Sequence, residues 1–283
     1  MKDKIWMSFL ERLPQCLLLL TLLYLLFVLG SSYLIDIRQI PMPILIDWAQ
    51  LEEDRVPLFW FHVFGEASPT EKLQWAYLGL SVFLAGTYAV LQYKATSRVP
   101  WAFIILFIGL SIMFAEDVYN LRHLISGYIA RVYFGIEGFS RGWWAGSWRS
   151  LIELTFYFFL GGIMVAALLL VWRNEQLASA GKKYLLAGYL LYGAAAAGSA
   201  TRHLGSWYLK LGEQILLNIN EGMRSRVEAS FQKENLGFYI MDYAVEESVE
   251  LLGATLIASA LLLFIRHSRT ASHYKNRDGP DVT

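Results

Sequence analysis

The chain has 283 residues, of which 56% are hydrophobic and 17% charged, and its mean hydropathy is +0.40. This composition is typical of an integral membrane protein rather than of a soluble domain. The 24 basic and 24 acidic residues cancel, which gives no basis for nucleic-acid binding. Cys16 is the single cysteine, so the chain contains neither an internal disulfide nor a thiolate metal site.

The first apolar stretch covers residues 13–35 and follows Lys2, Lys4 and Arg12. Cleavage after Gly30 would make it a signal peptide, but the stretch is long enough to span a membrane and continues past that point. We therefore interpret it as an uncleaved transmembrane helix. Residues 36–68 predict an interfacial helix with turns.

Capping signals mark the start of the next three predicted spans. Ser68-Pro-Thr-Glu71 is a capping box with proline at the first helical position, and it predicts a helix over about 71–93. Pro100 opens the third helix. Residues 124–149 predict a loop rich in Tyr and Trp, and a second capping box, Ser150-Leu-Ile-Glu153, opens a helix that ends near residue 172.

The last third of the chain predicts two more spans, at about 184–203 and 242–265. The first of these is rich in Gly and Ala, which suits close helix packing. Between them, residues 207–232 have the spacing of an amphipathic surface helix. The prediction is all-α: a polytopic membrane helix bundle of six transmembrane helices in one domain, 1–265, with interfacial helices in extracytoplasmic loops. Residues 266–283 are predicted to be a disordered, basic cytoplasmic tail.

Six spans place both termini on the same side of the membrane. Half of the Lys and Arg residues lie in short segments on one side: 1–12, 94–99, 173–183 and 266–283. The positive-inside rule therefore predicts a multi-pass protein of the bacterial inner membrane with both termini in the cytoplasm.

Two acids interrupt the third predicted span. Residues 101–115 carry no charge, but fifteen residues cover only about 22 Å of the roughly 30 Å apolar core of a bilayer. Glu116 and Asp117 follow, at a cost of about 3 kcal/mol for an acid at that depth. Glu116, Asn120 and His123 share one helical face.

The last span carries a second set of acids at the same depth. Glu246, Glu247 and Glu250 open it, and Gly253 would let another helix approach them closely. Counting from the cytoplasmic helix ends places Glu116 and Glu250 at about 22 Å, and Glu153, His203 and Glu246 at about 27–28 Å. Polar groups from four helices should thus meet in one layer of the outer leaflet.

Several of these residues also fit structural roles. Glu153 fits a capping box, and Asp242 an N-cap. Glu246 and Glu247 suit the positive end of a helix dipole, and His203 the negative end. Glu116, Asp117 and Glu250 fit no such role, so they are the candidate catalytic residues.

Carboxylates and imidazoles together suit a divalent metal such as Zn²⁺, Mn²⁺ or Fe²⁺. The candidate ligands come from four predicted helices and are Glu116, His123, Glu153, His203, Glu246 and Glu250. Haem between His123 and His203 is disfavoured by the surrounding acids. Like charges that share a site must otherwise share protons or recruit a cation.

The acidic pair with a downstream His in one span, and Glu246-Glu-x-x-Glu-x-x-Gly253 in the last, resembles a loosely defined group of uncharacterised bacterial multi-pass membrane proteins. The resemblance covers the third and sixth predicted helices and implies no activity.

Three functions remain open from the sequence. The leading hypothesis is metal-dependent hydrolytic or redox chemistry on a lipid-like or small substrate. The second is a transporter or channel in which the same acids carry protons or cations, although the uncharged inner halves of helices 3 and 6 argue mildly against an ion path. The third is a non-catalytic subunit with a membrane-protein partner or a second copy of the chain.

Overall fold

A computed structural model describes residues 2–38, 40, 42–48, 59–65, 67–129, 131–132, 143–202, 205–217 and 236–277. In this part of the chain every regular element is a helix, which confirms the all-α prediction. The first six helices are α1 (Lys2–Ser32), α2 (Pro43–Trp48), α3 (Phe59–Phe64), α4 (Pro69–Thr96), α5 (Trp101–Tyr119) and α6 (Leu121–Ile129). The others are α7 (Trp143–Arg173), α8 (Ser179–Thr201), α9 (Trp207–Leu217), α10 (Leu236–Tyr239) and α11 (Glu246–Arg277). One π-helical turn, Tyr33–Ile37, follows α1, and another, Ile240–Val245, joins α10 to α11.

Among the described residues, five helical segments are long and apolar enough to cross a membrane. They are Arg12–Asp36, Phe59–Thr96, Trp101–Tyr119, Leu151–Arg173 and Gly237–Ser268. The predicted span at 184–203 is helical as α8, but it is not among them. Its Gly and Ala residues carry little hydropathy, and Lys182 and Lys183 lie near its start. Six spans are therefore not confirmed.

Helix α8 packs closely along α11, as its small residues predict. A methyl group at Gly188 would lie 2.7 Å from the Ile257 side chain and 2.9 Å from the Gly253 carbonyl. A methyl group at Gly253 would lie 2.8 Å from the Tyr192 ring. Glycine at both positions lets the two backbones approach, which brings Tyr192 beside the helix that carries Glu250.

Two apolar clusters hold the bundle together. The larger lies between α4, α5, α7, α8 and α11, and Phe103, Leu106 and Leu261 are fully buried in it. The smaller packs α3 against α1 and α11. Asp36 anchors α3, since its carboxylate accepts hydrogen bonds from the Phe59 and Trp60 backbone N–H groups at 2.8 and 3.0 Å. No pattern in the sequence predicts this role.

Several predicted boundaries can be compared with the structure. The Ser68 capping box is confirmed, because the Glu71 N–H donates to Ser68 Oγ at 3.3 Å and proline follows the cap. The Ser150 box is wrong, because α7 already begins at Trp143 and therefore includes part of the predicted aromatic loop. Another part of that loop forms α6.

The last helix differs from its prediction at both ends. Helical backbone begins at Leu236, so Asp242 lies inside a π-helical turn and is not an N-cap. At the other end, α11 continues to Arg277 through a stretch that was predicted to be disordered. Neither Gly nor Pro occurs between 266 and 278, and Gly279-Pro280 follows.

The two predicted interfacial segments are partly described. The first contains α2 and α3, whereas residues 49–58 lie outside the described part. The amphipathic helix predicted over 207–232 is helical over Trp207–Leu217, and residues 218–232 lie outside the description.

Candidate functional site

Glu116 lies at the end of α5 in a local ion pair. Asn120 ends the helix with a left-handed backbone, φ 49°, which turns the chain back into α6. The Arg122 backbone N–H then donates to Glu116 Oε2 at 2.8 Å, and Arg122 Nε lies 3.3 Å from Glu116 Oε1. Glu116 is 8% exposed. A fixed cation from its own helical hairpin therefore compensates its charge.

Arg122 also joins this pair to two other helices. Its Nη1 donates to Ser199 Oγ of α8 at 3.1 Å, and its guanidinium lies 5.5 Å from the centre of the Tyr157 ring of α7. Ser199 is fully buried. Contacts from α7 and α8 thus hold Arg122 in place beside Glu116, which is typical of an ion pair with a structural role.

Asp117 faces a different neighbour. Nε2 of Gln74, on α4, lies 2.8 Å from Asp117 Oδ2, 2.8 Å from Glu250 Oε2 and 2.7 Å from the Tyr192 hydroxyl. We call these four residues the Gln74 cluster. They come from four helices, α4, α5, α8 and α11, and Gln74 itself is fully buried.

The hydrogen bonding of the Gln74 cluster is incomplete. An amide nitrogen has two hydrogens, fewer than the three oxygens around it. Gln74 Oε1 is buried and has no hydrogen-bond partner among the described residues. Outside the cluster, the same holds for Glu247 Oε2. Asp117 Oδ2 and Glu250 Oε2 each lie 2.8 Å from the same nitrogen, so the distance between these two oxygens is at most twice 2.8 Å. Like charges at that distance favour a shared proton or a bound cation.

Another ion pair lies at the C-terminal end of α8. Arg202 pairs with Asp242 and lies 5.8 Å from the centre of the Phe238 ring. Burial alone would lower the pKa of Arg202, but the carboxylates of Asp242 and Glu246 outweigh burial and raise it. Arg202 therefore remains a fixed cation.

Tyr208 of α9 supplies the contact to Glu246. Its hydroxyl donates to Glu246 Oε2 at 2.7 Å. Burial, and then the charge of Glu246, raise the pKa of Tyr208 above its ordinary value. The hydroxyl thus remains a donor to this acid.

The structure places the predicted site residues in separate environments. Glu250 meets Asp117 through Gln74, whereas the sequence placed it at the same depth as Glu116. Neighbouring helical residues point about 100° apart, and α4 lies on the Asp117 side. Glu153 is 1% exposed and lies within range of the Arg202 charge. The His123 side chain and residue His203 lie outside the described part.

The predicted metal set is not assembled by the described residues. Within them, no three His, Cys, Asp or Glu side chains group as metal ligands would. The acids of that set instead contact different partners: Arg122 for Glu116, Tyr208 for Glu246 and Gln74 for Glu250.

Gln74 and Tyr192 are the site residues that the sequence analysis missed. Gln74 lies one turn inside a predicted span, and Tyr192 lies in a helix of small residues. The available signal was a polar amide inside an otherwise apolar predicted span.

No protein family, curated protein or solved structure matches the chain. The resemblance noted from the sequence therefore stays a prediction, and a functional proposal has to start from the site itself.

Proposed function

We propose that this chain is a cation-coupled membrane transport protein, in which Asp117 and Glu250 take up and release a proton or an alkali-metal ion. One observation carries the proposal: two carboxylates from different helices share a single amide nitrogen. No Lys or Arg of the described residues forms an ion pair with either acid. In a membrane interior such a pair is costly unless a mobile cation compensates it.

The charge balance of the layer supports this proposal. Arg122 pairs with Glu116 and Arg202 with Asp242, so among the described residues both hydrogen-bonding contacts of the Asp117–Glu250 pair go to the neutral Gln74 amide, and the charge of Arg122 acts on the pair only from beyond ion-pair distance. Uptake or release of a cation changes the net charge where four helices meet. A change of charge at a helix interface can alter the relative stability of two packing arrangements, as coupled transport requires.

Buried hydroxyl groups continue from the site along α11. Thr255 Oγ1 lies 3.0 Å from Thr21 Oγ1, and Thr21 lies 3.3 Å from the Tyr77 hydroxyl. Farther along, Ser259 donates to the Pro14 carbonyl at 3.2 Å. The sequence indicated only that the inner halves of the third and sixth predicted helices carry no charge. These hydroxyls supply polar groups where the sequence argued against an ion path.

We place the protein in a bacterial inner membrane with both termini in the cytoplasm. The distribution of Lys and Arg supports this orientation, and it requires α8 to cross the membrane. A topology reporter fused to the C-terminus measures it directly, and a signal from the periplasm would overturn it.

Charge movement in proteoliposomes on a solid-supported membrane tests the transport proposal. A pH jump or a Na⁺ jump should give a transient current in the wild type, because cation uptake at a buried site displaces charge. The double variant Asp117→Asn/Glu250→Gln should lose that current. Glu175→Gln is the matched control, because Glu175 is an exposed acid between α7 and α8. Equal currents in the double variant and the wild type would overturn the proposal.

A further inference from the structure

Three oxygens surround one point in the Gln74 cluster, and the amide at that point carries a fourth. Asp117, Glu250 and Tyr192 each place an oxygen 2.7–2.8 Å from the terminal nitrogen of Gln74. Gln74 brings its own oxygen, Oε1, on the same amide. A proton needs one oxygen, or two that share it. A dehydrated metal ion needs several oxygens to replace its hydration shell.

We infer that the Gln74 cluster is a binding site for an alkali-metal cation, with Asp117 and Glu250 as charged ligands and Gln74 Oε1 and the Tyr192 hydroxyl as neutral ligands. This inference rests on the proposed function and names the ion that the site takes up. It goes further by giving Gln74 the role of a switch between two states of the site.

The Gln74 amide carries the argument for the switch. Its NH₂ group donates to both carboxylates and so stands where a cation would stand. Its oxygen is fully buried and has no hydrogen-bond partner in the described part of the chain. A rotation of the terminal amide of Gln74 exchanges the positions of Nε2 and Oε1. This torsion has a low barrier and is roughly two-fold. Rotation alone would put Oε1 where Nε2 lies, so the ion-bound state also requires the Gln74 side chain to withdraw and leave room for the ion, whereas without the ion the NH₂ group takes its place.

The composition of the site favours a monovalent ion over a divalent one. Ca²⁺ takes six to eight oxygens, and Mg²⁺ retains several waters in an octahedron. The Gln74 cluster offers two carboxylates and two neutral oxygens. These four oxygens are fewer than either divalent ion takes, and this number is what favours a monovalent ion.

Thermal unfolding of the detergent-purified, full-length protein tests the inference. Na⁺ or K⁺ should replace N-methyl-D-glucamine at constant pH and ionic strength. A ligand that binds only the folded state should raise Tm by about 5 °C at a hundredfold excess over its Kd. Glu175→Gln should show the full rise, because Glu175 is exposed and is not a member of the Gln74 cluster.

Three variants examine the ligands separately. Asp117→Asn should abolish the rise in Tm, because it removes one charged ligand. Gln74→Leu should abolish it as well, because it removes the neutral oxygen at similar size. Tyr192→Phe is the mildest change and should raise the cation concentration for half of the effect by about tenfold. It also keeps the test informative if Gln74→Leu does not fold.

The outcomes separate this inference from the transport proposal. If neither Na⁺ nor K⁺ raises Tm while pH-jump currents still depend on Asp117 and Glu250, the site takes protons only and this inference is overturned. If currents and stabilisation are both absent, both proposals are overturned. A full rise in Tm with Asp117→Asn or Gln74→Leu would place the ion elsewhere and would also overturn the inference.

Discussion

Glu116 and Asp117 are neighbours on α5, yet their carboxylates have opposite surroundings. Glu116 lies against Arg122, which Ser199 and Tyr157 also contact. Asp117 lies against the Gln74 amide together with a second acid, Glu250. A rotation of about 100° between consecutive residues makes the difference, because it directs them toward different helices.

The comparison separates a structural acid from a candidate functional one. An acid paired with an arginine from its own hairpin has its charge compensated permanently. An acid that shares a neutral amide with another acid has no ion-pair partner of its own, so a proton or another mobile cation can compensate its charge. The two acids are consecutive residues of one helix, so their local partners decide which acid can change its state.

Removal of Arg122 should produce the largest effect on stability. Arg122→Met keeps an apolar stem of similar length but leaves Glu116 buried without its ion pair. Breaking a buried pair in this way costs about 3–5 kcal/mol. Reversible denaturation in mixed detergent micelles measures the free energy of unfolding. Arg131→Met is the control, since Arg131 is exposed, and equal losses in the two variants would contradict the structural role of the pair.

The sequence predicted the layer of polar groups but not the contacts within it. Residue counting gives the depth of Glu116, Glu246 and Glu250 from the helical rise alone. It gives no information about which helices are neighbours. The bond from Gln74 to Glu250 joins residues that are 176 positions apart, and helix packing alone determines it.

Local signals explain which helix boundaries could be predicted. The Ser68 box works because proline follows and its side chain meets the Glu71 N–H. The same pattern at Ser150 does not start a helix, because the preceding Trp-rich residues are already helical. The backbone N–H groups after Ser150 therefore have helical partners and need no cap. The return of Arg122 onto Glu116 depends on the left-handed Asn120, which is one of a few residue types that tolerate that conformation.

Neutralising each acid in turn should give a smaller effect that differs between the two positions. Glu116→Gln should lower the free energy of unfolding by about 2 kcal/mol, because hydrogen bonds to a charged partner are weakened. Asp117→Asn should leave it unchanged or raise it by about 1 kcal/mol, since one of two like charges disappears while an acceptor oxygen remains.

The same unfolding assay, performed without Na⁺ or K⁺, compares these two variants directly. Their side chains change by the same atoms and lie next to each other, so each serves as the control for the other. Equal losses of stability would mean that Asp117 is a structural acid like Glu116, and the proposed distinction between them would fail.

The smallest expected effect concerns the support of the Arg122 pair by α8. Ser199→Ala removes the hydroxyl that accepts from Arg122 Nη1 at 3.1 Å, in a fully buried position. Loss of one such hydrogen bond should cost about 1 kcal/mol of unfolding free energy. Ser111→Ala is the matched control, because Ser111 Oγ donates only to the Phe107 carbonyl within its own helix, α5, at 2.7 Å. That carbonyl retains its helical partner, so the control should change stability by no more than about 0.5 kcal/mol. If Ser199→Ala also leaves stability unchanged, α8 does not hold the Arg122 pair, and the pair is a local feature of the α5–α6 hairpin alone.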